Sequence, residues 1–333
     1  MRLDLVRNGL KTINGSADSL LITCASYEER STLSSRFLSR KYQTETAVVF
    51  GATEFRDIGR TPQYFQMIMD AIRPHCRERP EAIFFELSDP LDLVRKLQMF
   101  VKSLTTQQTF RYITIDITTF PRQALLLLTR YVDEHPHRGV IRLLYGEPKR
   151  YATEEKKKED RWLTRGVLSV KSVPQFGGVQ FPRRAKLLTV ILGHEGERTH
   201  ITVRRHQPDK IILIPQGQQQ HHKGLKEIAE RENEQIISIY GQESFWKSGL
   251  PSRGVVETER VIKKIYAQHR YTHNMFLAPN GTKLQLIGGY LACRRRPEIQ
   301  ITYAVPAVYN WQKYSTGTGR LSQMILEPVE SDN

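Results

Sequence analysis

Two arginines hold matching places in separated stretches of this chain. Arg30 lies in Tyr27-Glu28-Glu29-Arg30-Ser31, just after the apolar run Leu20-Leu21-Ile22-Thr23-Cys24. Arg198 lies in Gly196-Glu197-Arg198-Thr199, just after Leu188-Thr189-Val190-Ile191-Leu192. An arginine in the first turn of a helix opposes the helix dipole, so a nearby anion must compensate it. Two anions fit the chemistry. A phosphate can take paired hydrogen bonds from each guanidinium, with Glu29 and Glu197 alongside. Alternatively, a neighbouring glutamate or loop carboxylate pairs with the arginine and fixes the strand-to-helix turn. The sequence leaves both open.

A second pattern closes each stretch. Tyr145, Pro148 and Tyr151 have the same spacing as Tyr303, Pro306 and Tyr309, each set following an apolar run. The tyrosines offer faces on which bases stack, or they cover the core where proline ends a strand. Between the two patterns, a fourth apolar run ends in polar residues in each copy. The first reads Asp116-Ile117-Thr118-Thr119-Phe120-Pro121-Arg122, the second Pro279-Asn280-Gly281-Thr282-Lys283. Hydroxyls, backbone N–H groups and a cation at a helix start suit a phosphate. The Walker spacing is absent. The competing reading is ordinary capping by Thr119 and Asn280.

Catalysis has a thinner basis. Asp116 can act as a base, with Lys283 facing it, in a nuclease or a nucleotide-cleaving hydrolase. No serine or cysteine sits in a nucleophile elbow. His221-His222 lacks an acidic or cysteine partner at useful spacing, and Cys24, Cys76 and Cys293 are widely separated. No metal and no cofactor is expected.

These residues need elements to position them. In the first copy, strands at 20–24, 47–50, 82–85, 112–117 and 140–145 alternate with helices at 27–39, 61–72, from 89, and 121–132. Thr61-Pro62 and Asp89-Pro90 are helix-start signals. The second copy repeats the rhythm, with strands at 187–192, 210–214, 236–240, 274–277 and 299–303. Helices fall at 197–206, 222–231, 255–269 and 281–293. Short β-branched runs alternating with amphipathic helices predict parallel sheets covered on both faces. The expectation is two tandem, pseudo-symmetric Rossmann-like α/β domains with doubly wound parallel sheets. The first spans 1–151, a charged Gly/Pro-containing linker spans 152–185, and the second spans 186–333 with a C-terminal tail marked by Gly317 and Gly319.

With 333 residues, each half can bury its own core. No apolar run reaches the length of a membrane span, and the start lacks a secretory signal, so a cytoplasmic chain with no membrane partner is expected. The net charge of +15 favours polyanionic partners. Basic residues cluster at Arg204-Arg205, Lys263-Lys264 and Arg294-Arg295-Arg296, with Tyr266, Tyr271 and Trp311 interleaved, as on a nucleic-acid surface.

The strand ends Asp116-Ile117-Thr118-Thr119 and Asn280-Gly281-Thr282-Lys283, each followed by an apolar helix, resemble those of CRISPR-associated Rossmann fold domains and related defence sensors. In that family two such folds pair and bind a cyclic oligonucleotide between them. The resemblance implies that Thr118, Thr119, Thr282 and Lys283 face the ligand; the first copy departs from the pattern at Phe120-Pro121. The leading expectation is a non-enzymatic binding subunit of a prokaryotic antiviral defence system. It would recognise nucleic acid or a cyclic or linear oligonucleotide through a basic inter-domain cleft, using Glu29, Arg30, Thr118, Thr119, Arg122, Glu197, Arg198, Asn280, Thr282 and Lys283. The alternatives are the enzyme using Asp116 and Lys283, and a scaffold whose positive surface meets a protein partner in a defence complex.

Overall fold

The computed structural model describes residues 3–103, 110–136, 138–155, 157–217, 225–240 and 244–326. The chain forms two compact units, Met1–Tyr151 with Trp311–Asn333, and Ala152–Asn310.

Unit 1 contains β1 (Asp4–Leu5), β2 (Asp18–Ala25), α1 (Leu33–Arg36), β3 (Thr44–Ala52), α2 (Thr61–Ile72), β4 (Glu81–Phe85), α3 (Pro90–Ser103), β5 (Phe110–Asp116), α4 (Arg122–Asp133) and β6 (Arg138–Tyr151). The last strand of the chain, β12 (Ser315–Leu326), completes it. The sheet order is β1-β12-β6-β5-β2-β3-β4. Its five parallel strands therefore run third, second, first, fourth, fifth, the Rossmann order, whose direction reverses between β2 and β5. The apolar runs of β2 and β3 are buried throughout their centres because helices cover both faces. A buried carboxylate ties three of these strands. Asp18 Oδ2 on β2 accepts from Thr114 Oγ1 on β5 at 2.5 Å, Arg142 Nη2 on β6 at 2.8 Å and the Tyr42 hydroxyl at 2.7 Å.

Unit 2 contains β7 (Thr164–Ser172), β8 (Ala185–Ile191), α5 (Gly196–His206), β9 (Lys210–Ile214), α6 (Leu225–Glu232), α7 (Glu234–Tyr240), α8 (Val255–His269), β10 (His273–Pro279), α9 (Lys283–Arg294) and β11 (Gln300–Tyr309). The order is β7-β11-β10-β8-β9. Four parallel strands repeat the plan of unit 1. Where unit 1 has its outer strand β4, unit 2 has an irregular segment. Phe245 bridges Leu213 and Leu250 bridges Gln216, both in parallel sense.

Several sequence expectations change. The stretch 236–240 is helical, because Ile236 and, one turn on, Tyr240 share the face packed on the unit 2 core while Ile239 is exposed. The helix expected over 27–39 is a single 3-10 turn, Glu29–Thr32, followed by the four-residue α1. Part of the helix expected over 222–231, with His221 and His222, lies outside the described residues. The supposed linker carries β7, which pairs antiparallel with β11. The supposed tail is β12, which pairs antiparallel with β6 and so belongs to unit 1.

The units thus exchange edge strands. The chain runs from β6 of unit 1 into β7 of unit 2, and from β11 of unit 2 back into β12 of unit 1. In each case the added strand lies antiparallel on the last parallel strand. β12 buries Leu321, Met324 and Leu326. A chain ending at Asn310 keeps every strand of unit 2 but removes these side chains and opens the edge of β6. Calorimetry on that truncation is expected to show loss of one unfolding transition with the other retained. Two transitions at their original temperatures would refute this assignment of β12.

Candidate functional site

The two repeated patterns meet in space. In unit 1, Arg30 donates from Nε to Glu28 Oε2 at 2.8 Å and from Nη2 to Glu28 Oε1 at 3.0 Å, a two-pronged pair. Its Nη1 donates to the Gly146 carbonyl at 3.3 Å and to the Tyr151 hydroxyl at 3.4 Å. Tyr145 and Tyr151 bring their hydroxyls within 3.3 Å of each other. Ser315, which faces Tyr151 across the β6–β12 ladder, donates to Glu28 Oε2 at 2.5 Å. Arg30 is 2% exposed and Glu28 5%. Burial alone would lower the arginine's pKa, but Glu28 and the two tyrosines outweigh it and hold the guanidinium firmly charged.

Unit 2 builds the same cluster from the second copy. Arg198 donates from Nη1 to Glu195 at 3.0 Å and from Nε to the Ala304 carbonyl at 3.1 Å, and lies over the Tyr303 ring at 4.6 Å. Thr164, opposite Tyr309 in the β7–β11 ladder, donates its hydroxyl to Glu195. The match extends to the exchanged strand, since Ser315 and Thr164 play one role. Of the two anions the sequence left open, the structure shows a neighbouring glutamate beside each arginine. Neither arginine presents its guanidinium to solvent, and Tyr151 and Tyr303 lie against the arginines, with Tyr145 beside Tyr151 in unit 1.

At the point where strand direction reverses, the loops after the first and fourth strands touch. In unit 1, Thr119 Oγ1 donates to the Cys24 carbonyl at 2.5 Å. Asp116, 2% exposed, accepts from the Thr118 backbone N–H at 2.9 Å and from the hydroxyls of Thr118 and Ser34. Thr118 Oγ1 in turn accepts from the Gly146 N–H at 2.8 Å. The proposed base is thus enclosed by donors that shape its own turn, with no open face toward a substrate. Thr118, fully buried, and Thr119, which the family resemblance places facing a ligand, both direct their hydroxyls to protein oxygens here. In unit 2, Asn280 Nδ2 donates to Thr199 Oγ1 at 3.3 Å. Gly193 is required there, since a Cβ would collide with the Asn280 carbonyl. Thr282, not Asn280, caps α9, through a capping box with Gln285. Likewise Pro121, not Thr119, precedes α4. Arg122 and Lys283 open their helices half-buried. Glu29 lies 4.0 Å from Arg36, and Glu197 accepts from the Gly166 N–H on β7 at 3.0 Å.

Two open features remain on the strand-carboxyl side, where open α/β sheets bind ligands. In unit 1 the loop after β3 carries Arg56 and Arg60, both exposed, with Arg56 over Phe84 at 4.8 Å and Arg60 over Tyr64 at 5.5 Å. Tyr27 packs edge-on against Phe55, with ring centroids 4.9 Å apart. Trp311, 40% exposed, lies against Gly59, whose φ of +55° favours glycine. In unit 2 a cavity of about 870 Å³ opens beyond β9, lined by Gln216, Lys226, Arg231, Phe245, Trp246 and Lys247 among others. Sequence reasoning passed over Arg56 and Arg60; the available signal was a basic loop directly after an apolar strand.

The basic clusters separate. Arg204 and Arg205 are exposed at the end of α5, while Arg294, Arg295 and Arg296 end α9 and lead toward β11. Lys263 pairs with Glu259 at 2.5 Å, and Lys264 lies 5.7 Å from the Trp246 ring centre. Among the described residues there is no cluster of three or more His, Cys, Asp or Glu able to hold a metal. No described helix is long and apolar enough to cross a membrane.

No family model matches the sequence, and no curated protein matches it. Among solved structures, the chain is similar in fold to a Type III CRISPR defence DNA nuclease activated by cyclic oligoadenylate. The TM-score is 0.50 at 9% identity, over 85% of this chain and 65% of the nuclease. This chain thus spans less than two thirds of that protein's length.

Arg30→Ala leaves Glu28 buried without its counter-charge, which costs about 3–5 kcal/mol. Arg198→Ala acts the same way in unit 2. Urea denaturation is expected to show each loss; a midpoint unchanged by either substitution would rule out a structural role for that arginine.

Proposed function

We propose that this chain is a binding module for a phosphate-rich oligonucleotide signal, acting in antiviral defence. The observation that carries the reading is the Rossmann strand order. It brings basic and aromatic side chains to the strand-carboxyl side of each sheet: Arg56, Arg60, Tyr27 and Trp311 in unit 1, and Lys226, Arg231, Lys247, Phe245 and Trp246 in unit 2. Cations of this kind neutralise phosphates and aromatic faces stack bases. The similarity of fold to a nuclease activated by cyclic oligoadenylate supports the same reading. Binding without chemistry fits the enclosed Asp116.

The test is calorimetric titration with a panel of cyclic and linear oligoadenylates, followed by thermal unfolding. A bound member at a hundredfold excess over its Kd is expected to stabilise the fold by about 2.7 kcal/mol. Arg56→Glu with Arg60→Glu, and separately Trp246→Ala, are expected to weaken binding without changing the unfolding midpoint of the free protein. No heat and no stabilisation with any member would exclude these ligands, and binding indifferent to all three substitutions would place the site elsewhere.

A further inference from the structure

The opposite side of unit 2, where its strands begin, carries a second surface, distinct from the strand-carboxyl features above. The segment leading into β8 is pinned to the start of β10: Asn274 Nδ2 donates to the Phe181 and Arg184 carbonyls at 2.9 and 3.2 Å, and Asn274 Oδ1 accepts from the Phe181 N–H at 2.8 Å. Ala185 N–H donates to the Thr272 carbonyl at 3.1 Å. Lys186 N–H donates to Asp209, just before β9, at 2.7 Å. These bonds gather cations from four segments onto one end of the sheet: Arg184, Lys186, Arg205, Lys210 and Arg270.

Two aromatic rings sit among them in the open. Tyr271 is 71% exposed with the Arg270 guanidinium 4.5 Å from its ring centre, and Phe181 is 36% exposed with Arg184 at 3.7 Å. Three histidines complete the surface. His269 and His273 have ring centroids 5.3 Å apart, and His206 lies against Phe276 with Nε2 2.8 Å from Thr302 Oγ1. Burial lowers the pKa of each, and nearby cations add to it: Lys186 and Arg205 for His206, Lys210 and His273 for His269, and Lys210 for His273. Asp209 opposes the effect at His273. Thr272 Oγ1 lies 2.8 Å from His273 Nδ1. Burial and these cations both disfavour the protonated ring, and a bound anion would favour it.

We propose that this strand-amino end of unit 2 binds single-stranded nucleic acid, its cations tracking the phosphates and its two exposed rings stacking bases, with protons taken up on binding. Exposed rings separate this surface from a purely electrostatic one. A duplex has no free base faces to offer them, whereas each unpaired base has one. The sign of the pH effect follows from the charge: a phosphate beside these rings favours their protonated form, so affinity rises as pH falls.

The experiment is fluorescence anisotropy with a labelled single-stranded oligonucleotide and its duplex, at pH of about 5.5 and about 7.5, on either side of the unperturbed histidine value. The single strand is expected to bind more tightly than the duplex, and more tightly at the lower pH. Tyr271→Ala, a change at a solvent-facing ring, is expected to lose about tenfold in affinity for the strand. Lys186→Ala with Lys210→Ala should make the dependence of log K on log salt shallower by about 1.4. His269→Gln with His273→Gln, which leaves only His206 of the three, should reduce the pH dependence. Equal binding of duplex and strand, a silent Tyr271→Ala, or a pH dependence intact in the histidine variant would each overturn the proposal. So would binding to polyglutamate in place of any oligonucleotide. Arg56→Glu with Arg60→Glu leaves this surface untouched, so failure of the oligoadenylate reading is read separately.

Discussion

A buried arginine needs a counter-charge and hydrogen bonds, or the fold loses several kcal/mol to desolvation. That constraint organises both halves of this protein. Arg30 draws together the turn after β2, the carbonyl of Gly146 and the hydroxyl of Tyr151. Glu28, holding the arginine with both oxygens, also accepts from Ser315 on the exchanged strand. Arg198, Glu195, Ala304 and Thr164 repeat the arrangement. The cluster therefore fixes three things at once: where the first helix-side turn goes, where the last parallel strand ends, and which strand is laid beside it.

With Arg30 and Arg198 so occupied, the proposed ligand site draws on other side chains, exposed or lining the cavity beyond β9. At the reversal point Thr119 bonds to the end of β2 in unit 1 and Asn280 to α5 in unit 2, while the basic residues of the proposed site stand one strand further out, after β3 and β9. The high positive charge is spread over two ends of unit 2 and one side of unit 1. Each group has a different setting: Arg56 and Arg60 stand beside rings, the Lys226, Arg231 and Lys247 trio lines a cavity shared with acids, and Lys186 and Lys210 stand near half-buried histidines.

The alternation of strands and helices was legible in the sequence because central parallel strands are apolar on both faces and covering helices show a clear period. The edge strands were not. Thr164–Ser172 and Ser315–Leu326 have one face toward solvent and include Gly166, Gly317 and Gly319, so they read as linker and tail. Both repeated motifs were visible, yet their union was hidden, since Arg30 and Gly146 are 116 positions apart and Arg198 and Ala304 are 106. Periodicity reports which face is buried and not which distant residue answers it. The same limit hid the fate of Asp116: an acid at a strand end looks alike whether it meets a substrate or Ser34. Arg56 and Arg60 escaped notice because a charged loop resembles any solvated turn until its place after the second strand of a Rossmann sheet is known.

The exchange of edge strands bears on how the protein is made. Synthesis runs from the amino end, so β2 to β6 are made long before Ser315 leaves the ribosome. Throughout the synthesis of unit 2, the nascent first unit carries an uncovered edge along β6 and a Glu28–Arg30 pair still missing its hydroxyl partner. Bare sheet edges recruit other strands, so this waiting period is when the chain is most open to mispairing with its neighbours. Unit 2 has no such wait, because β7 is made before the β11 it will cover. The two halves are alike in architecture but unequal in biogenesis, and the earlier-made half is the later one to be finished.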